Sequence, residues 1–458
     1  MKQIKNFIEA NRERFLEELF GLIRIPSVSA SEAHKPDMLK AAEYIKDMMI
    51  RGGADSAEVY PTAGHPIVFG EKIIDQSLPT VLVYGHYDVQ PAEPLDKWTS
   101  PPFEPEIRDG RIYARGADDD KGQLFMHLKA FEMMMATRTL PCNVKFMIEG
   151  EEEIGSINIA GFCSDRREML KSDVILVSDT TMISADTPSI TSGLRGLTYI
   201  QVEVTGPDHD LHSGLYGGAV LNPCNILCEM IASLKDCDGH ITIPGFYDTV
   251  IVPSEAERKK MAERPFDPEA YKKSINVKAL ASEKGFTALE SVGIRPTLDI
   301  NGIWGGYTGE GAKTILPAVA TAKISMRLVP DQKAEEIAEL AITHLKAIAP
   351  EGVTVKAEYL HGGEAYVSPL DTPEYLAAEK AYETVFGRKP IPVRSGGSIP
   401  IISTFEKILG IKSILMGFGL EADAIHSPNE NYPLENLFSG MEAIPLYFRY
   451  YSEMKKRV

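Results

Sequence analysis

Four short apolar runs in this chain each lead to side chains of the kind that hold metal ions. Val81–Gly85 runs into His86, Ile112–Tyr113 is followed by Asp118–Asp120, Val144–Ile148 runs into the acidic stretch Glu149–Glu153, and Val174–Val177 is closely followed by Asp179. Runs of this length and composition read as buried strands. In an open α/β sheet the carboxyl ends of the strands face one crevice, so ligands far apart in sequence would meet in space. Imidazole with several carboxylates is a donor set for two divalent cations that activate water, which makes hydrolysis the leading expectation.

Apolar residues recur at helical spacing over Lys2–Ile23 (Ile4, Phe7, Ile8, Phe15, Leu16, Leu19, Leu22) until Pro26 stops them, and a second amphipathic helix is expected over Met38–Met49. The strands above, alternating with a helix over Gly122–Met135, imply a mainly parallel sheet covered by helices, an α/β catalytic domain. From Leu197 the order becomes strand (Thr198, Ile200, Val202, Val204), helix (Pro223–Leu234), two strands (Leu298–Trp304, Ala318–Val329), helix (Lys333–Ile348) and strand (Val353–Leu360). That succession is an α+β split βαβ domain, interrupted by a long Pro- and charge-rich stretch over Asp236–Pro296. Helix Thr372–Phe386, strand Ser413–Phe418 and helix Leu434–Lys456 return to the first pattern. The smaller domain is therefore expected as an insertion: catalytic domain over 1–195, inserted domain over 196–365, catalytic domain again over 366–458.

A chain of 458 residues, 44% hydrophobic and 25% charged, can bury sizeable cores in two or three domains. Its formal charge of -17 argues against nucleic acid and acidic membranes as partners, because such partners are met by basic patches. No apolar run reaches the length of a bilayer span. Met1–Arg14 reads as a charged amphipathic helix without the apolar core and cleavage site of a signal peptide, so a cytoplasmic location is expected. The five cysteines (Cys142, Cys163, Cys224, Cys228, Cys237), an odd number in a large chain, give no disulfide framework. Cys224 and Cys228 share one expected helix but lack two further soft ligands at finger-like spacing, and they read as packed thiols.

His86 and Asp88 stand at a strand end, where Asp88 can accept the second imidazole N–H and leave the other nitrogen for metal. Alone, such a histidine is as readily a core or surface residue. Asp118–Asp120 precede a helix, where one acid would serve as an N-cap; three in succession exceed that need and place one carboxylate to bridge two cations. Glu151–Glu153 follow a fully apolar strand. A solvated acidic loop is the bland alternative there, yet adjacent side chains point differently, so one can bind metal while its neighbour stays free as a general base. His212, in the inserted domain, reads as a surface-loop histidine on its own. His426 lies in the polar loop after the strand Ser413–Phe418, where a last ligand is expected.

Together these segments resemble a known family. Tyr84–Pro91, Tyr113–Gly122, Glu149–Ser156, Val177–Asp179 and Leu211–Gly218, with Gly311–Thr314, Ser325–Pro330 and Gly396–Pro400, are similar to the dinuclear zinc peptidases that include aminoacylase and glutamate carboxypeptidase. Within them the chain resembles most the branch of cytosolic non-specific dipeptidase and carnosinase. The motifs occur in order over essentially the whole chain.

Carried over position by position, the resemblance implies that His86 and Asp179 bind one metal and Glu153 and His426 the other, with Asp119 bridging both. Asp88 would orient His86, and Glu152 would be the general base. Two divalent cations bring four positive charges, and Asp119, Glu153, Asp179 and a bridging hydroxide bring four negative ones, so the ligand shell would be neutral and Glu152 free to take a proton. Ala114, Asp118 and Glu151 stand where relatives vary, which leaves Asp118 and Asp120 as alternatives to Asp119. The inserted domain would act as a lid, mediate homodimerisation and offer His212 to the active site of the partner subunit, where it would stabilise the oxyanion. Thr314, Arg327 and Ser398 would hold the carboxylate of a dipeptide substrate, a task suited to the planar fork of arginine. Zn²⁺ is the expected ion, with Mn²⁺ and Co²⁺ accepted by the same ligands. The expected activity is dipeptide hydrolysis. The alternatives are an N-acyl-amino-acid deacylase or carboxypeptidase on the same ligand set and, from another class, a cation-binding protein that has lost turnover.

Overall fold

Asn143–Glu149 and Val174–Val177 are buried at every position, as strands without alternation must be when both faces of their sheet are covered. They lie within a nine-stranded sheet, seven of whose strands follow in the order Ser56–Tyr60, Ile67–Lys72, Asn143–Glu149, Thr80–His86, Val174–Val177, Ser413–Leu415, Ser189–Leu194. The computed structural model describes residues 2–262, 264–396 and 399–456. The parallel strands of this sheet belong to the first of two units, formed by Met1–Ser192, Ser368–Val393 and Thr404–Val458; the second comprises Gly193–Val367 and Arg394–Ser403.

The four middle strands of the first sheet run parallel: Thr80–His86 beside Asn143–Glu149 and Val174–Val177, and Val174–Val177 beside Ser413–Leu415. Ile67–Lys72 and Ser189–Leu194 flank them antiparallel. The chain is thus an α/β protein with a parallel centre and antiparallel margins. One expectation is corrected. Arg111–Tyr113 is not a strand of this sheet; it pairs antiparallel with Glu106–Arg108 and Asn431–Pro433 in a small sheet of three strands. With only three residues, it is too short to run across the sheet, and its pairing joins the Asp118–Asp120 loop to the His426 loop instead.

Lys121–Ala136 is the hub of the helical layer. It packs on Lys2–Ile23, Lys35–Gly52, Leu434–Lys455 and the strand Thr80–His86, and it is buried nearly all round, as a helix enclosed by others must be. Its polar side chains consequently find partners inside the protein. Lys121 Nζ donates to Leu22 O and Ile25 O at 3.2 and 2.6 Å, closing the carboxyl end of Lys2–Ile23, where carbonyls lack helical partners.

The second unit is built on an antiparallel sheet in the order Thr297–Gly305, Val319–Leu328, Gly196–Thr205, Thr354–Gly363. This is the split βαβ arrangement, with Pro223–Ser233 and Ala334–Ala347 as its helices. Gly196–Thr205 alternates buried and half-buried residues along its length. Its Ile200, Val202 and Val204 join Leu227, Ile324, Met326, Ile337 and Leu345 in a separate core. The described residues of the stretch Asp236–Pro296 form three short helices, Glu255–Met261, Pro268–Ser274 and Ala288–Gly293. Asp267 caps the second and a Thr287–Glu290 capping box the third.

Candidate metal centre

Register brings the candidate ligands together. In the parallel pair His86 stands opposite Glu149, and Tyr84 stands opposite Val177, so His86, the loop after Glu149 and the loop after Val177 all emerge at the same edge of the first unit's sheet. Asp119 and His426 arrive from the two loops that the small sheet joins.

Asp119 lies between two imidazoles. Its Oδ1 is 3.1 Å from His86 Nε2 and its Oδ2 is 3.0 Å from His426 Nε2. Asp179 Oδ2 is 3.9 Å from His86 Nε2, and Glu153 Oε2 is 3.2 Å from His426 Nε2. The result is two triads, His86–Asp119–Asp179 and Asp119–Glu153–His426, whose ligand atoms lie within 4.8 Å of one another in each. One nitrogen and two carboxylate groups on each side, with Asp119 common to both, is a donor set that fits a pair of divalent cations.

Charge in the ligand set points the same way. Burial alone would lower the His86 pKa, but the carboxylates of Asp119 and Asp88 hold it well above the ordinary imidazole value. Hydrogen bonds to Asp119 and Glu153 raise His426 to about 10. Burial raises Asp179 to about 7, and the charge of Asp119 adds to the shift. Burial likewise pushes Glu152 well above the carboxylate range, with Asp179 and Asp119 adding to it. Imidazoles and carboxylates thus favour each other's charged forms, and a bound cation would compete with the imidazole protons.

The neighbouring acids have separate tasks. Asp120 occupies the N-cap position of Lys121–Ala136 but makes no side-chain cap; its Oδ2 accepts the backbone N–H of His86 at 3.0 Å. Asp118 is fully buried beside Asp423, and burial followed by the charge of Asp423 pushes its pKa well up. Glu151 closes its own loop, accepting from His65 N and from Asn158 N and Nδ2. His86 Nδ1 lies 3.1 Å from the carbonyl of Asp88 and 3.3 Å from its Oδ1, while the same carboxylate accepts the N–H groups of Glu152 and Glu153 at 3.2 and 3.0 Å. Among the described residues no hydrogen bond takes up the Glu152 carboxylate, whereas Glu153 is held by Gln90 N and Nε2.

Several residues of the site escape sequence reasoning. On the central helix, His127 Nε2 donates to Ser178 Oγ at 2.7 Å, and that hydroxyl donates to Met416 O at 2.7 Å. Gln123 donates to Thr180 O and accepts from Phe418 N. Two helix side chains thereby fix the strand ends on either side of Asp179. His426 itself has φ 61° and Asn429 φ 65°, an uncommon conformation for a histidine that shapes the loop around the ligand.

In the second unit, Leu211–His212 pairs with Ile315–Leu316, and Ser213 N donates to Thr314 O. His212 is exposed, and its Nδ1 accepts from Gly214 N at 3.0 Å. Arg327 lies on the strand Val319–Leu328 opposite Leu197 and Thr297. Ser398 lies outside the described residues.

Two histidines and three carboxylates gathered at one edge of an α/β sheet are the donor set of a metal-dependent hydrolase. More narrowly, residues 82–449 match the model of peptidase family M20/M25/M40, and the chain belongs to that family as a metallopeptidase. It is 33% identical over 472 residues to a Cys-Gly metallodipeptidase of Candida albicans, covering 97% of this chain and 96% of that one. It is 31% identical over 466 residues to the human Beta-Ala-His dipeptidase, covering 98% and 92%. Among solved structures it resembles an M20 family metallo-carboxypeptidase from Sulfolobus solfataricus with a TM-score of 0.86 at 32% identity, covering 96% of this chain and 99% of the other.

Proposed function

We propose that the chain hydrolyses the peptide bond of dipeptides with two divalent cations per subunit. The observation that carries this reading is the placement of Asp119, one oxygen toward each histidine, with a further carboxylate on each side. His86 and Asp179 would hold one cation, Glu153 and His426 the other, and Asp119, a member of both groups, would serve the two. When bound, such cations would lower the pKa of water toward about 7 and polarise a carbonyl. Glu152, its carboxylate free and its pKa raised by burial, accepts the proton of the attacking water and delivers it to the departing amine. Asp88 fixes the imidazole of His86 and the backbone that carries Glu152. Zn²⁺, Mn²⁺ and Co²⁺ all suit imidazole and carboxylate.

The relatives that act on Cys-Gly and on Beta-Ala-His support a dipeptide as substrate class. His212 stabilises the oxyanion from the partner subunit of a homodimer, and Thr314, Arg327 and Ser398 hold the substrate carboxylate. The second unit, exposing Leu215, Tyr216, Trp304 and Tyr307, offers the apolar surface that a subunit contact needs. Incubation with dipeptides, N-acetyl amino acids and longer peptides, each with and without chelator, tests the reading. The expected result is chelator-sensitive cleavage of dipeptides. Cleavage confined to N-acetyl amino acids, or to the carboxyl ends of longer peptides, assigns the deacylase or carboxypeptidase chemistry instead, and metal binding without any turnover leaves a cation-binding protein.

A further inference from the structure

Two buried carboxylates grip the backbones of the two acidic loops. Asp88, just beyond His86, takes the N–H groups of Glu152 and Glu153. On the other side Glu430, just beyond His426 and 1% exposed, does the same for the bridging loop. Its Oε1 accepts from Asp118 N at 3.1 Å and Asp119 N at 3.2 Å. Its Oε2 accepts from Gly116 N at 3.1 Å and Arg115 Nη1 at 2.7 Å, and its own carbonyl accepts from Ala114 N at 3.1 Å. Each histidine-bearing loop thus carries an acid that holds an acidic loop by consecutive N–H groups.

We infer that Glu430 is a positioning residue for the metal bridge. An aspartate has only two side-chain torsions, so the place of its carboxylate follows closely from the place of its backbone. By fixing the N–H groups of residues 118 and 119, Glu430 sets the direction in which Asp119 offers one oxygen to each side. It also ties that loop to the one carrying His426, so the shared ligand and a terminal ligand are spaced by one side chain. Only a carboxylate can do this. All its acceptor directions are used by four donors, whereas an amide of the same shape has a single acceptor oxygen and would turn its own N–H groups toward donors. Removing an outer partner of a metal ligand typically costs about 10- to 100-fold in metal affinity. The inference rests on the metal-centre reading, not on the identity of the substrate.

The rival explanation is that Glu430 merely neutralises Arg115, which is also 1% exposed. Full-length Glu430→Gln and the double variant Arg115→Met/Glu430→Gln separate the two. The metal-free proteins are titrated with Zn²⁺ against a chromogenic chelator, and their melting is followed in parallel. Glu430→Gln is expected to bind Zn²⁺ about 10- to 100-fold more weakly and to melt earlier, since a buried guanidinium loses its partner. The double variant is expected to regain part of the lost melting temperature and none of the affinity. Wild-type Zn²⁺ affinity in either variant overturns the inference. If neither variant folds, amide exchange of the metal-free wild type decides: strong protection of the Asp118 and Asp119 amides is expected, and exchange at the rate of an open loop overturns it. Weakened Zn²⁺ binding in a protein whose wild type cleaves no peptide would keep this role for Glu430 and remove the peptidase reading.

Discussion

Three consecutive aspartates take three directions, and their chemistry separates accordingly. Asp119 faces both imidazoles, Asp120 accepts the His86 N–H, and Asp118 shares a buried pocket with Asp423. Asp119→Asn is expected to weaken metal binding by more than the ~100-fold that loss of an outer partner costs. Asp118→Asn is expected to leave it within a few-fold, because Asp118 faces Asp423 and lies in neither group of candidate ligands. Metal analysis of the two dialysed variants checks the pair, and equal loss in both would put the bridge elsewhere in the run. Glu152→Ala should retain both metals and lose nearly all turnover, whereas His86→Ala should lose metal; equal metal loss would show that Glu152 is a ligand and not the base. The sequence makes the presence of an acidic cluster legible, but not the direction of each member. That depends on where Asp423, Glu430 and the N–H of His86 lie, and two of those three are remote in sequence.

At the scale of elements, the helix Lys121–Ala136 does more than its sequence pattern announces. Periodicity locates it to within a residue of each end, yet it gives no sign that Gln123 and His127 point inward to strand ends and not out to water. His127 is the accessible test. Burial excludes the charged ring and lowers its pKa from 6.5 to about 3, so the unfolded chain takes up this proton first. The stability it contributes is complete above pH 6.5 and is lost at about 1.4 kcal/mol per pH unit as pH falls toward about 3. In denaturant unfolding, His127→Gln, which keeps a donor for Ser178, is expected to lose about 2 kcal/mol less than wild type between pH 7 and pH 5. Identical losses would mean that the ring is protonated in the folded chain. The short strand Arg111–Tyr113 teaches a related limit: an apolar dipeptide before an acidic run looks like a sheet strand, and only its pairing with Asn431–Pro433 shows that it serves the loops.

Over the whole molecule, the change from buried runs to strict alternation at Leu197 is what made a second architecture readable, because a sheet covered on one face imposes period two. The antiparallel margins Ser56–Tyr60, Ile67–Lys72 and Ser189–Leu194 gave no comparable signal; their register depends on partners supplied by the tertiary fold. The proposal that His212 serves the partner subunit's site has a consequence that can be counted. Glu152→Ala and His212→Ala are each expected to be inactive alone. After subunit exchange, half of the dimers pair one variant with the other, and each has one intact site, so the mixture should recover about a quarter of wild-type activity. No recovery despite exchange would place His212 in its own subunit's site or outside the chemistry. The centre itself is tested most directly by titrating the metal-free protein with Zn²⁺ while following dipeptide hydrolysis. No turnover without metal, rising to saturation at two equivalents per chain, is the predicted result; hydrolysis that survives complete chelation, or a protein that takes up no divalent ion, would contradict it.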